Sequence, residues 1–191
     1  MSFFSTLDRR ILAIALPSIV SNITVPLLSL VDVAVTGHMG SDGVGTDSAL
    51  PASYYVGAIA VGGMLFNIIY WMFGFLRMGT GGETAQAWGR RDLDGVVLLL
   101  VRNLLLALVL ALVLMIASPF IRDVALWYIA PEAEVASLAR TYYNICIWGA
   151  IPALGLFAMN GWYIGMQNSR FPMLVAIGQN LLNIACSIFF V

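Results

Sequence analysis

Leu16-Pro17-Ser18-Ile19-Val20-Ser21-Asn22-Ile23-Thr24-Val25-Pro26-Leu27-Leu28-Ser29-Leu30-Val31-Asp32-Val33-Ala34-Val35-Thr36-Gly37 is the stretch on which the reading of the fold turns. It lies inside an apolar run that starts after Arg10 and ends near His38. Such a run exceeds the roughly 20 residues a helix needs to cross a membrane. Yet it carries Asp32, and an ionised carboxylate in hydrocarbon costs about 2.5–3.5 kcal/mol on insertion scales. Asp32 is therefore expected close to a membrane face, turned into a protein cavity, or neutral for part of its life. Its neighbours favour the cavity. On a helix, Ser18, Ser21, Asn22, Ser29, Asp32 and Thr36 fall within an arc of about 100°, where random placement would scatter them. Pro26 removes a backbone donor inside the run and is expected to kink it, which makes it the candidate hinge. Small polar residues also hold helices together without further function. An aspartate is not explained that way.

The whole chain agrees with this reading. Of its 191 residues, 61% are hydrophobic and 10% charged, and the mean hydropathy is +0.92. A soluble domain would carry about 25% charged residues. The composition predicts an all-α, multi-pass membrane protein whose immediate partner is the lipid bilayer. All nine basic residues are Arg and the net charge is −1, so nothing suggests a nucleic-acid surface. Cys146 and Cys186 sit in apolar segments with neither a CxxC partner nor a nearby His, and read as small apolar fillers. The single His, His38, borders a polar loop. With no cluster of metal-ligand type and no nucleophile–base pair, neither an enzyme nor a metal or organic cofactor is expected. No cleavable signal is expected at the N-terminus, because the apolar run after Arg9 and Arg10 is too long and is expected to continue as a spanning helix.

Patterning predicts five spans, at about residues 11–37, 54–76, 96–117, 138–165 and 171–191. Residues 38–53 form a loop rich in Gly, Ser and Asp. Residues 77–92 are Gly-rich but lack GxxxxGK[ST], so they read as a connector at the membrane interface rather than a phosphate loop. Ser118-Pro119 is expected to end the third span, with a loop and a short amphipathic piece over 119–137. Pro152 is expected to kink the fourth span. Gly161 and Gly165 form a GxxxG pair beside Asn160, a motif that more often serves packing. On the fifth span, Gln179, Asn180, Asn183, Cys186 and Ser187 occupy an arc of about 120°. Their side chains suit hydrogen bonds to a carboxyl group or oxygen ligation of Na⁺. Arg9, Arg10, Arg77, Arg90, Arg91, Arg102 and Arg170 fall on or near one side, and Arg122 and Arg140 on the other. That asymmetry places the N-terminus in the cytoplasm. The sequence stops directly after its last apolar segment, so it is expected to be part of a longer protein.

Several segments, in order, carry a family likeness. Asn22-Ile23-Thr24-Val25-Pro26-Leu27-Leu28-Ser29-Leu30-Val31-Asp32-Val33-Ala34-Val35-Thr36-Gly37-His38 resembles the first helix of the multidrug and toxic compound extrusion (MATE) family, closest to its DinF-type branch. Val56 to Gly62, Phe75 to Gly89, Gly161 to Gln167 and Asn180 to Ile184 fit the same pattern. The resemblance implies part of a six-helix lobe of a twelve-helix transporter, with the rest of the transporter, including a C-terminal lobe, as the missing partner. It implies export of organic, often cationic, small molecules in exchange for H⁺ or Na⁺ across a bacterial inner membrane. By the same resemblance Asp32 is the coupling carboxylate, Asn160 and Asn183 belong to the lobe's cavity, and Tyr142 is a weaker match to a cavity tyrosine. Ser187 stands where some members carry a second acid, which leaves Asp32 as the well-placed carboxylate in this piece. A flippase for lipid-linked precursors, from the same superfamily, would need more cationic groups facing a phosphate. A non-transporting scaffold or remnant is the other alternative.

Overall fold

The computed structural model describes residues 51–190 together with Leu12, Ala15 and Ile19, apart from the side chains at 52, 187, 188 and 190. Leu12, Ala15 and Ile19 are helical; the rest of the first predicted span lies outside the described residues. The described chain then packs helix on helix: α1 (Ala52–Met72), α2 (Gly74–Gly89), α3 (Leu93–Ile129), α4 (Ala133–Cys146), a 3₁₀ turn (Ile147–Gly149), α5 (Ala150–Gly165) and α6 (Arg170–Phe190). Only Phe73 separates α1 from α2, and only the 3₁₀ turn separates α4 from α5. The result is three long columns, Ser53–Gly89 (37 residues), Leu93–Ile129 (37 residues) and Ala133–Gly165 (33 residues), each long and apolar enough to cross a membrane. At 1.5 Å per residue they measure about 50–55 Å against a hydrocarbon core of about 30 Å. They must tilt or extend beyond the core at their ends.

Two local expectations are corrected. Residues 77–92 are not a connector: α2 continues through them to Gly89. Of the glycines there, Gly81 packs against Gly161 of the neighbouring helix, and Leu76, Thr80, Thr84 and Ala87 form a buried stripe at helical spacing. The turn proper is three residues long, Arg90 to Asp92. It is made by Arg91 in the left-handed region (φ 58°) and by Asp92, whose Oδ1 accepts the Gly95 N–H at 2.9 Å and caps α3. Nor does Pro119 end the third helix, which runs on to Ile129. Proline removes one hydrogen bond, but beyond it Leu126 is buried against Ala58 and Ala139. Arg122 Nη1 also donates to Asn144 Oδ1 of α4 at 2.6 Å. These tertiary contacts hold the last turns helical. In the fourth predicted span, the 3₁₀ turn lies one turn before Pro152, where a missing N–H leaves the carbonyl four residues back without its helical donor.

Lipid tails are as apolar as leucine, so helices in a membrane associate by close packing rather than by the hydrophobic effect. Here the small residues lie where that requires. A Cβ built on Gly165 would stand 2.7 Å from the Gly81 carbonyl oxygen and 2.7 Å from Thr84 Cβ; one on Gly161 would stand 3.0 Å from Thr80 Cβ. The backbones of α2 and α5 therefore touch at the GxxxG pair. Thr80 Oγ1 donates to the Leu76 carbonyl at 2.7 Å. Thr84 Oγ1 has no hydrogen-bond partner among the described residues, so its contribution is shape. At the other end Gly62 leaves room for the ring of Tyr142, whose Cε1 would lie 2.7 Å from an added Cβ. Gly62 meets Tyr142 and Gly81 meets Gly161 at the same sequence separation, so the columns α1–α2 and α4–α5 run parallel in constant register. The connecting column α3 lays Ala107, Ala111, Leu114 and Ser118 along its buried face. Trp162 Nε1 pins α5 to α3 by donating to the Val96 carbonyl at 2.9 Å.

Candidate functional site

Glycine brings the two parallel columns into contact at both ends, whereas their middles carry aromatic rings. Phe66 stacks on Tyr143 (centroids 4.9 Å apart) and on Tyr70 (5.8 Å), and meets Tyr142 edge-on at 6.4 Å. Tyr70 in turn meets Phe157 of α5 edge-on at 6.3 Å. Rings need a wider axial separation than glycines, and both columns are broken close to these rings, at Phe73 and at Ile147–Gly149. An open recess of about 650 Å³ lies there, lined by Asn67, Ile68, Tyr70 and Trp71 of α1 and Phe157 of α5.

Among the described residues the recess is a mostly apolar surface with one amide and no charge in its lining. Asn67, which is exposed, offers both donors and an acceptor. Trp71 is 84% exposed close to the midpoint of its column. Tryptophans facing lipid collect at the two interfaces, where the indole N–H stays wet. Trp127, 80% exposed near the end of α3, fits that pattern. Trp71 does not, which argues that its face meets water or protein rather than acyl chains. The charged groups described at the far end of α3 are drawn into a separate cluster, with Arg122 Nε 3.0 Å and Arg140 Nη2 3.7 Å from Asp123 Oδ1.

The residues expected from sequence distribute as follows. Asp32 and Pro26 lie outside the described residues, as does the Ser187 side chain. Asn160 is half-buried on α5, one helical turn beyond Phe157 of the recess. Tyr142 is half-buried on α4, over Gly62 and beside Phe66. Asn180 is half-buried and Asn183 exposed on α6, each engaged in a contact. Thus Tyr142 and Asn160 share the α4–α5 column with Phe157, while Asn180 and Asn183 occupy the next helix. Sequence reasoning missed Asn67. The signal was present, since an amide inside Leu65-Phe66-Asn67-Ile68-Ile69 is as conspicuous as Asn160 in its own helix.

The comparisons with known proteins point one way. DNA damage-inducible protein F of Escherichia coli is 36% identical over the whole of this chain, which covers 39% of that protein. A probable multidrug resistance protein NorM of Bradyrhizobium diazoefficiens is 26% identical over 91% of this chain and 34% of its own length. A second one, from Deinococcus radiodurans, is 30% identical over 80% of this chain and 31% of its own length. The chain therefore spans less than half the length of these relatives. No solved structure matches it. The MatE family model matches residues 17–189, and with nearly every residue inside that match and the helical architecture in agreement, the chain belongs to the MatE family.

Proposed function

We propose that this chain forms most of one lobe of a multi-pass exporter. In this reading the transporter moves organic, chiefly cationic, small molecules outward by alternating access, in exchange for H⁺ or Na⁺, in a bacterial inner membrane with the N-terminus in the cytoplasm. The multidrug-resistance names of the two NorM relatives support the substrate class. The observation that carries the proposal is the α1–α5 recess. It is greasy, faced by aromatic rings and supplied with one amide, at the level where both columns are interrupted. Aromatic faces attract organic cations through the ring quadrupole, and an apolar lining accepts varied carbon skeletons. Asp32 carries the exchanged cation, with Asn160, Asn180, Asn183, Tyr142 and Ser187 as polar partners and Pro26 as the hinge. A flippase would need cationic side chains for a lipid phosphate, and the recess has none among its described lining residues. Ethidium efflux by the full-length protein tests the proposal. Trp71→Ala is expected to raise the half-saturating ethidium concentration about tenfold, the equivalent of losing one good aromatic–cation contact. Ile116→Ala, on a residue of similar exposure (82%) on α3, is expected to change nothing. Equal effects of the two variants would count against the recess.

A further inference from the structure

One end of the bundle gathers the α2–α3 turn and the α5–α6 turn. The Trp162–Val96 hydrogen bond and the Gly165 contact with α2 hold the end of α5 level with the end of α2 and the start of α3. Both turns are tight, with Arg91 (φ 58°) and Gln167 (φ 61°) in the left-handed region. They present Arg90, Arg91 and Arg170, all exposed. The ion pairs among the described residues involve Arg122 and Arg140 at the opposite end, and none involves these three. Two carboxylates lie close in sequence. Asp92 is already bonded to the Gly95 N–H, and Asp94 occupies the first turn of α3, where the helix dipole favours it.

Along α3 and α6 beyond these turns and Asp94 the exposed residues become apolar, on α3 as far as the exposed Arg102. Leu93 is 62% exposed, Leu98 68% and Leu174 60%. Trp88 and Phe171 stand at the boundary, and the Phe171 ring is stacked 5.2 Å from that of Tyr163. A ligand matching this surface carries negative charge at one level and long apolar chains directly beneath it. Free phosphate satisfies only the upper half. We propose that this end of the bundle is a docking surface for anionic phospholipid. Arg90, Arg91 and Arg170 hold the headgroup phosphate through charge-assisted hydrogen bonds, and the leucines of α3 and α6 take the acyl chains.

The test uses the purified full-length protein in detergent, with lipid added and bound copies counted by native mass spectrometry beside thermal unfolding. Wild type is expected to retain phosphatidylglycerol in preference to phosphatidylcholine of the same acyl chains, and to melt at higher temperature with the former. A juxtamembrane arginine contributes about fivefold to binding of an anionic surface. Arg90→Gln/Arg91→Gln/Arg170→Gln should therefore weaken that preference by about a hundredfold and abolish the melting shift. The matching triple Lys variant keeps the charge and should keep the preference, which separates lipid binding from a general folding defect. Unchanged phosphatidylglycerol retention in the Gln variant would overturn the proposal. So would an equal melting shift from inorganic phosphate, which would identify a free-anion site.

Discussion

Gly161→Ala is expected to destabilise the protein by about 1–3 kcal/mol, the range for forcing an extra methyl into a packed interface. The added Cβ would stand 3.0 Å from Thr80 Cβ and 3.1 Å from the Gly81 amide nitrogen, and closer still to the Arg77 carbonyl oxygen. Backbone atoms cannot swing aside as a side-chain tip can, so α2 and α5 must separate. Gly165→Ala meets the same obstacle at the Gly81 carbonyl. The internal control is unusually close: a Cβ on Gly79 or Gly82 would meet nothing within 4 Å. There the same substitution should stabilise by about 0.5–1 kcal/mol, through helix propensity alone. Thermal unfolding of the four single variants in detergent should thus give opposite signs. If Gly161→Ala and Gly82→Ala behaved alike, the backbone contact between α2 and α5 would be refuted.

The largest effect on transport is expected from Asp32→Asn, which should abolish ion-coupled efflux while leaving the protein folded. A coupling group must bind its cation in one facing state and release it in the other. A carboxyl achieves this when burial favours its neutral form in one state and hydration or a bound cation favours its charged form in the other. Asparagine keeps the shape and loses the titration. Efflux of ethidium by the full-length protein, followed across a pH series and with or without Na⁺, should respond to one of the two ions in wild type and be flat at background in the variant. Pro26→Ala separates hinge from carrier: if coupling survives it intact, bending at Pro26 is not how Asp32 acts. Coupled efflux that persisted in Asp32→Asn would remove the carboxylate from the mechanism.

Much of this architecture was legible in the sequence, for identifiable reasons. Apolar length and scarce charge are first-order constraints in a membrane, so the helical class followed from composition and hydropathy. The errors came where one residue type has two physical uses. Gly79, Gly81 and Gly82 look like a flexible connector when counted, yet Gly81 faces another helix backbone and serves packing. The partner it faces, Gly161, is far away in sequence, and no local pattern announces it. Pro119 looks like a stop signal, yet the burial of Leu126 and the Arg122–Asn144 bond outweigh one lost hydrogen bond. The recess was illegible for a related reason. Its described lining joins Asn67, Ile68, Tyr70 and Trp71 of α1 with Phe157 of α5, far apart in sequence, and among these only Asn67 stands out locally.

The decisive measurement is the reactivity of a single cysteine at position 67. In the full-length protein with every native cysteine, Cys146 and Cys186 among them, replaced by Ser, Asn67→Cys is treated with a charged methanethiosulfonate reagent in membrane vesicles. Ile116→Cys, on an exposed residue of α3, serves as the lipid-facing reference. If the α1–α5 recess is the water-accessible wall of a substrate path, Asn67→Cys reacts faster than Ile116→Cys and ethidium slows its reaction. If position 67 reacts no faster than position 116, or if ethidium leaves its rate unchanged, the recess is not the binding wall.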